Sequence, residues 1–249
     1  MSIAMFLGPT LPVATARRIL EATYLPPVAM GDVTALLLQP EQPRAIGIID
    51  GVFERVPAVW HKELLFALSQ GVRVFGSASM GALRAAELHT FGMEGVGRIF
   101  EAYRDGVLED DDEVAVIHGA AEFGYPQLSE AMVNIREGLA RAEAGSHICP
   151  ATRQRLETAA KQMFYPERSW PSVLACGAAL GLPAAELAAL QAFVSQTAPN
   201  LKRDDALALL HHLAAAWEDG LAPHTPQFIF EPSCYWRQLV QSQLDADAA

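Results

Sequence analysis

The sequence predicts an α/β fold: a doubly wound, mostly parallel sheet in the N-terminal half, followed by a mainly α-helical C-terminal half. Three observations predict it. Short apolar segments end in turn residues and pass at once into helical patterns. They are apolar throughout, as strands are when both faces of a parallel sheet are covered. Beyond residue 125 that signal stops, and apolar residues recur at helical spacing.

Residues 3–7 form the first predicted strand, ended by Gly8-Pro9-Thr10, with a helix over 13–20. The stretch "ATYLPPVAMGDVTALLLQ" reads as a further short strand and a helical or extended piece. Residues 45–49 make the next strand, which ends in Asp50-Gly51, and a helix over 61–68 stops at Gly71. Residues 72–75 lead through "GSASM" into a helix over 82–89. This half, residues 1–125, is predicted to be the α/β domain that carries the strand-end site.

In residues 126–249, stripes appear at Leu128, Met132, Ile135 and Leu139, at Leu187, Leu190 and Val194, and at Leu207, Leu210, Leu213 and Trp217. Pro150, Pro183 and Asp204 stand where helices start, and Gly145 and Gly220 where they end. Such stripes are core rather than cofactor boxes. With no repeat and no low-complexity linker, the halves are free to pack as one body.

Composition narrows the function classes. A formal net charge of -11, from 18 basic and 29 acidic residues, disfavours binding to a phosphate backbone, so no nucleic acid is expected. No stretch approaches the roughly 20 apolar residues of a membrane span, and "MSIAMFLGPTLP" lacks the basic start of a signal peptide. Three widely spaced cysteines, Cys149, Cys176 and Cys234, give neither a disulfide framework nor a zinc site. They read as buried, inert thiols in a reducing compartment, hence a cytoplasmic protein. Five consecutive acids, Glu109 to Glu113, read as a solvated loop.

In an open parallel sheet, ligands collect beyond the carboxyl ends of the strands. Thr10, Asp50 and the turn Gly76-Ser77-Ala78-Ser79-Met80-Gly81 should meet there. Small residues around Ser79 suit a sharp strand-to-helix turn that holds a hydroxyl proud, as in a nucleophile elbow. Two other readings stay open: a plain N-cap, and a turn whose N–H groups hold an anion. Ser77 stands where the elbow pattern places Gly. A nucleophilic Ser needs a base, and His118, after the apolar "VAVI", is the first choice, with His61 second. Asp50 could orient a base or accept from Thr10 or Ser79; Arg84 and Glu87 read as an intrahelical pair, with Arg84 also able to meet a substrate carboxylate.

The segments "GPTLP", "IGIIDGVFERVPAVWHKELLFAL", "GVRVFGSASMGALRAAELHTFGMEGVGRIFEAYRDG" and "DDDEVAVIHG" run in that order over residues 5–125 and together resemble the TfuA-like family. The resemblance implies a partner of YcaO enzymes in the modification of ribosomally synthesised peptides by backbone thioamidation. It implies hydrolysis of the C-terminal thiocarboxylate of a ThiS-like, ubiquitin-fold sulfur carrier, which releases sulfide, with no cofactor. The precursor peptide is a further candidate partner. In that chemistry Ser79 would be the nucleophile, His118 or His61 the base, and Met80 and Gly81 oxyanion donors. Ser77, Thr10, Glu87 and Arg84 would flank the substrate. The other reading the resemblance allows is a non-catalytic accessory protein that recruits the carrier or the peptide to YcaO.

Overall fold

The computed structural model describes residues 2–54, 56–197 and 199–247. The chain divides into two compact units, one made of Met1–Leu108 with Arg203–Ala249, the other of Glu109–Lys202. The C-terminal segment thus belongs with the N-terminal sheet rather than with the helices that precede it.

The first unit is built on a five-stranded parallel sheet: β1 (Ile3–Phe6), β2 (Thr23–Leu25), β3 (Ala45–Ile48), β4 (Arg73–Ser77) and β5 (Glu94–Val96). The spatial order is β2-β1-β3-β4-β5, so the direction of winding reverses between β1 and β3, which in doubly wound sheets opens a crevice at the strand ends. Its helices are α1 (Val13–Ala16), α2 (Asp32–Leu38), α3 (His61–Ser69), α4 (Met80–Leu88) and α5 (Arg98–Arg104). Every residue of β1 and β3 is buried, which explains why their sequences run apolar without alternation. The edge strand β5 has only partly buried residues and carries no such pattern, so the sequence does not announce it.

The second unit contains α6 (Met132–Ala144), α7 (Pro150–Gln162), α8 (Trp170–Ala179) and α9 (Ala184–Thr197). Met132, Ile135, Leu139, Leu190 and Val194 lie in its core, as the stripes predict, with Leu156 joining them and Leu187 packed partly buried against them; Leu128, predicted to share the first stripe, lies before α6 and is 64% exposed. The acid run is solvent-exposed, as expected, over Glu109, Asp110 and Asp111, but its last two members are not. Glu113 is buried and receives a bidentate pair of hydrogen bonds from Arg136, both 2.9 Å. Lys161 pairs with Asp110, Asp112 and Glu113. The fully buried Arg168 bonds the Asp112 carboxylate, its main-chain carbonyl and the carbonyl of Ala160. Burial pushes the Asp112 carboxyl up, but the bonds from Lys161 and Arg168 outweigh that and hold it below its ordinary range. Nor are the cysteines buried as expected: Cys149 and Cys234 are exposed and Cys176 half-buried, the first capping α7 and the second opening a helix at the surface.

α10 (Leu201–Glu218) and α11 (Cys234–Asp247) complete the chain. Ala206, Leu209, Leu210 and Leu213 of α10 join Ile3, Met5, Ala45, Phe75 and Ala16 in the core of the first unit, so α10 covers one face of the sheet beside α1. On the other face α4 lies against β4 at unusually close range. A Cβ on Gly76 would stand 2.1 Å from the carbonyl oxygen of Gly81, and one on Gly81 would stand 1.8 Å from that of Ile48. Backbone cannot yield as a flexible side chain can.

Gly81→Ala should therefore lower the unfolding free energy by about 3 kcal/mol or more in urea titrations followed by circular dichroism. Gly106→Ala, whose Cβ would meet open space although its φ is +70°, should cost only about 1 to 2 kcal/mol.

Candidate functional site

At the carboxyl ends of the central strands, the first unit gathers most of the residues the sequence nominates. Asp50 follows β3 and is 1% exposed. Its carboxylate accepts from the Gly8 N–H at 2.8 Å, the Thr10 N–H at 3.1 Å and the Thr10 hydroxyl at 2.6 Å. The carboxylate thereby fastens the turn after β1 to the end of β3, and it accepts from Thr10 as expected rather than from Ser79. Gly51 brings this loop onto the α4 terminus: a Cβ there would meet Met80 Cγ at 2.6 Å.

The turn from β4 into α4 is the least relaxed element nearby. The Ser79 N–H donates to the Ser77 carbonyl at 2.7 Å across Ala78, whose φ is +65°. That is a γ-turn of the strained hand, at a residue with a Cβ and no exposure. Strain of this kind persists only where surrounding structure imposes it; here Ala78 is held in the sheet-face core and α4 is held by its glycines.

Ser79 occupies the N-cap position of α4 but its side chain makes no capping bond, which removes the plain N-cap reading. Its main-chain carbonyl accepts from Ala82 and Leu83, so the helix starts without help from the hydroxyl. Among the described residues Ser79 Oγ has no hydrogen-bond partner, and neither has the Met80 N–H. The residue is 2% exposed. Gly81 is different: its N–H donates to the Ile49 carbonyl at 3.3 Å, which leaves Met80 as the open donor of the nominated pair. Ser77 Oγ is also committed, to the Val96 carbonyl at 2.6 Å and the Asp205 carbonyl at 3.0 Å; it ties β4 to β5 and α10.

His61, Arg84 and Glu87 come together as a separate cluster. Glu87 Oε2 receives His61 Nε2 at 2.8 Å and an Arg84 guanidinium nitrogen at 2.7 Å, the intrahelical pair expected. Arg84 Nε also donates to the Val59 carbonyl at 3.0 Å. Burial raises the Glu87 carboxyl, while the His61 bond and the Arg84 charge more than reverse it, so its pKa lies below the ordinary 4.5. Among the described residues no hydrogen bond links this cluster to Ser79. His118 belongs to the second unit; its Nδ1 lies 2.9 Å from the Gly119 carbonyl and its ring meets Tyr125 edge-on. A carbonyl only accepts, so Nδ1 carries a proton.

Two buried carboxylates of the first unit, Glu63 and Asp205, are not foreseen by the sequence reading. Glu63 accepts N–H bonds from Gly31, Thr34 and Trp60 and a hydroxyl bond from Thr34, joining the starts of α2 and α3; the three-residue step from Trp60 to Glu63 was its only local signal. Asp205, on α10, accepts from the Ile99 N–H at 2.7 Å at the start of α5. Burial is the chief reason that its pKa rises from 3.8 to about 6; the Ile99 and Arg98 backbone bonds oppose it. A helical stripe says nothing about what a polar residue between its apolar positions will cap.

The TfuA-like protein family model matches residues 50–169. That span includes Asp50, the Ser79 turn, the Glu87 cluster and His118, and leaves Thr10 and the helices from α8 onward outside. A search of curated proteins finds no match to the chain.

Between pH 3.8 and about 6 the folded state holds the Asp205 proton that the unfolded chain has lost, so native stability falls as pH rises through that window. Asp205→Asn keeps an acceptor for Ile99 and has no charge to bury. Relative to that variant, the wild type should lose up to about 3 kcal/mol across the window, measured by urea unfolding at stepped pH.

Proposed function

This chain belongs to the TfuA-like family, and from that premise we propose that it works beside a YcaO enzyme in the thioamidation of ribosomally synthesised peptides, hydrolysing the C-terminal thiocarboxylate of a ThiS-like carrier to supply sulfide. The observation that carries the proposal is the Ser79 turn. A hydroxyl without a hydrogen-bond partner follows a strained residue and stands at the start of α4, beside an N–H that is also without a partner.

The chemistry suits that arrangement. A thiocarboxylate is an anion, and the start of a helix attracts anions through its exposed N–H groups and dipole. Ser79 Oγ attacks the acyl carbon. The former carbonyl oxygen takes up negative charge and is met by the Met80 N–H; one such donor is worth about 3 kcal/mol of barrier. As the C–O bond forms, the sulfur becomes the basic atom of the adduct, takes the hydroxyl proton and departs as hydrosulfide, leaving a Ser79 ester. Water cleaves the ester and restores the hydroxyl. The sum is RCOS⁻ + H₂O giving RCOO⁻ + H₂S, with no electron transferred and no cofactor. The thin tail of a ubiquitin-fold carrier suits a crevice between strand-end loops.

A second reading has its own support. Ser79 is 2% exposed and no histidine is bonded to it, as expected if the turn were only structural and the chain recruited the carrier or the precursor peptide to YcaO. The two readings part in one experiment: purified protein is incubated with thiocarboxylated carrier without YcaO, mass spectrometry follows the carrier C-terminus, and free sulfide is assayed. The hydrolase reading expects loss of sulfur from the carrier and at least a thousandfold slower loss in Ser79→Ala. Because Oγ makes no bond, that variant should unfold within about 0.5 kcal/mol of wild type. A carrier that binds but stays thiocarboxylated overturns hydrolysis and leaves recruitment.

A further inference from the structure

A cavity of about 530 Å³ opens at the opposite, amino-terminal edge of the sheet, where β1 and β2 begin and α10 passes over them. It lies within the first unit. Its walls include Ile3, Leu20 and the indole of Trp217, and its rim carries the carboxylates of Glu21 and Glu218. Among the described residues no Lys, Arg or His side chain lines it. Two cations stand near it: Arg44 lies 5.2 Å from the Trp217 ring centroid and bonds the Leu221 carbonyl, and Arg17 lies 5.9 Å from the Tyr24 ring centroid, each held over an aromatic face. An apolar floor with two acids at the mouth selects a positive group on a carbon stem: the stem covers the floor and the charge meets the carboxylates. The volume falls in the range of sites that enclose a ligand.

A second feature says how such a group is presented. Thr23 lines the cavity and is also the first residue of β2. Among the described residues β2 ends the sheet beside β1, so its outer side offers unpaired main-chain groups. An extended peptide can pair along such an edge while one of its side chains enters an adjacent pocket. We propose that this cavity and the β2 edge together form a peptide-binding site that takes an extended segment with a Lys or Arg side chain flanked by apolar residues. It is independent of Ser79 and of sulfide release.

The test uses the full chain and a fluorescein-labelled peptide, Ile-Thr-Lys-Val-Ile, titrated by fluorescence anisotropy. Saturable binding is expected, weakened at least tenfold when norleucine replaces Lys and when alternate amides of the peptide are N-methylated. Glu21 and Glu218 are exposed, so the double variant E21K/E218K keeps the fold, checked by circular dichroism. It should lose the Lys peptide at least tenfold and gain the peptide with Glu in place of Lys. Equal affinity of wild type and double variant, equal affinity for Lys and norleucine, or absence of saturation overturns the proposal. Saturation by free phenethylamine with indifference to peptide N-methylation overturns the peptide as occupant and points to a small amine.

Discussion

Helix α4 leaves strand β4 within three residues because two glycines face each other where side chains would collide. Gly76 and Gly81 let the first turn of the helix settle on the end of β3, close to the Ile48 carbonyl, and Gly81 donates to the carbonyl of Ile49 just beyond it. The chain between them then has too little length to turn in a relaxed way, and the excess falls on Ala78, at φ +65°. Everything proposed about Ser79 descends from this approach. A helix standing farther from the sheet would relax the turn and let the hydroxyl fold back as an ordinary cap.

The same edge shows how unevenly polar groups are satisfied. Asp50 collects three donors, Glu63 gathers the starts of two helices, and Asp205 holds a third. Buried carboxylates used in this way join loops that no apolar contact could fix, since their bonds are directional and charge-assisted. Against that background the hydroxyl of Ser79, which makes no capping bond, and the Met80 N–H stand apart. The first N–H groups of any helix lack an intrahelical partner, and an end left open in this way can meet an anion.

The sequence foretold the sheet and its strand-end loops well, because buried parallel strands and the glycine-rich turns after them leave a plain record. Of the roles open to Asp50, to orient a base or to accept from Thr10 or Ser79, the bond from Thr10 is the one present. Three things left no such record. The weak edge strand β5 has no apolar run. The acid run looks solvated until Arg136, Lys161 and Arg168, 23 or more residues away, are folded against it. The sign of φ at Ala78 is set by packing, and alanine itself gives no hint of it. The commitments of Ser77 and Gly81 are likewise tertiary: each bonds a carbonyl on another element, and no local pattern reveals which small residues at a turn remain unengaged.

The covering of the sheet by α10 has a consequence for how the chain is made. Met5 and Leu213 share one core although more than 200 residues lie between them. On the ribosome, the five strands emerge long before the helix that shields them, and nearly a hundred residues of the second unit come in between. That unit can fold first, as domains do in order of synthesis, while the unfinished sheet presents a greasy flank to solvent. Pairing so distant in sequence also slows the final closure. Such a nascent chain is a natural client for a chaperone that binds exposed apolar surface, and its yield would depend on that help.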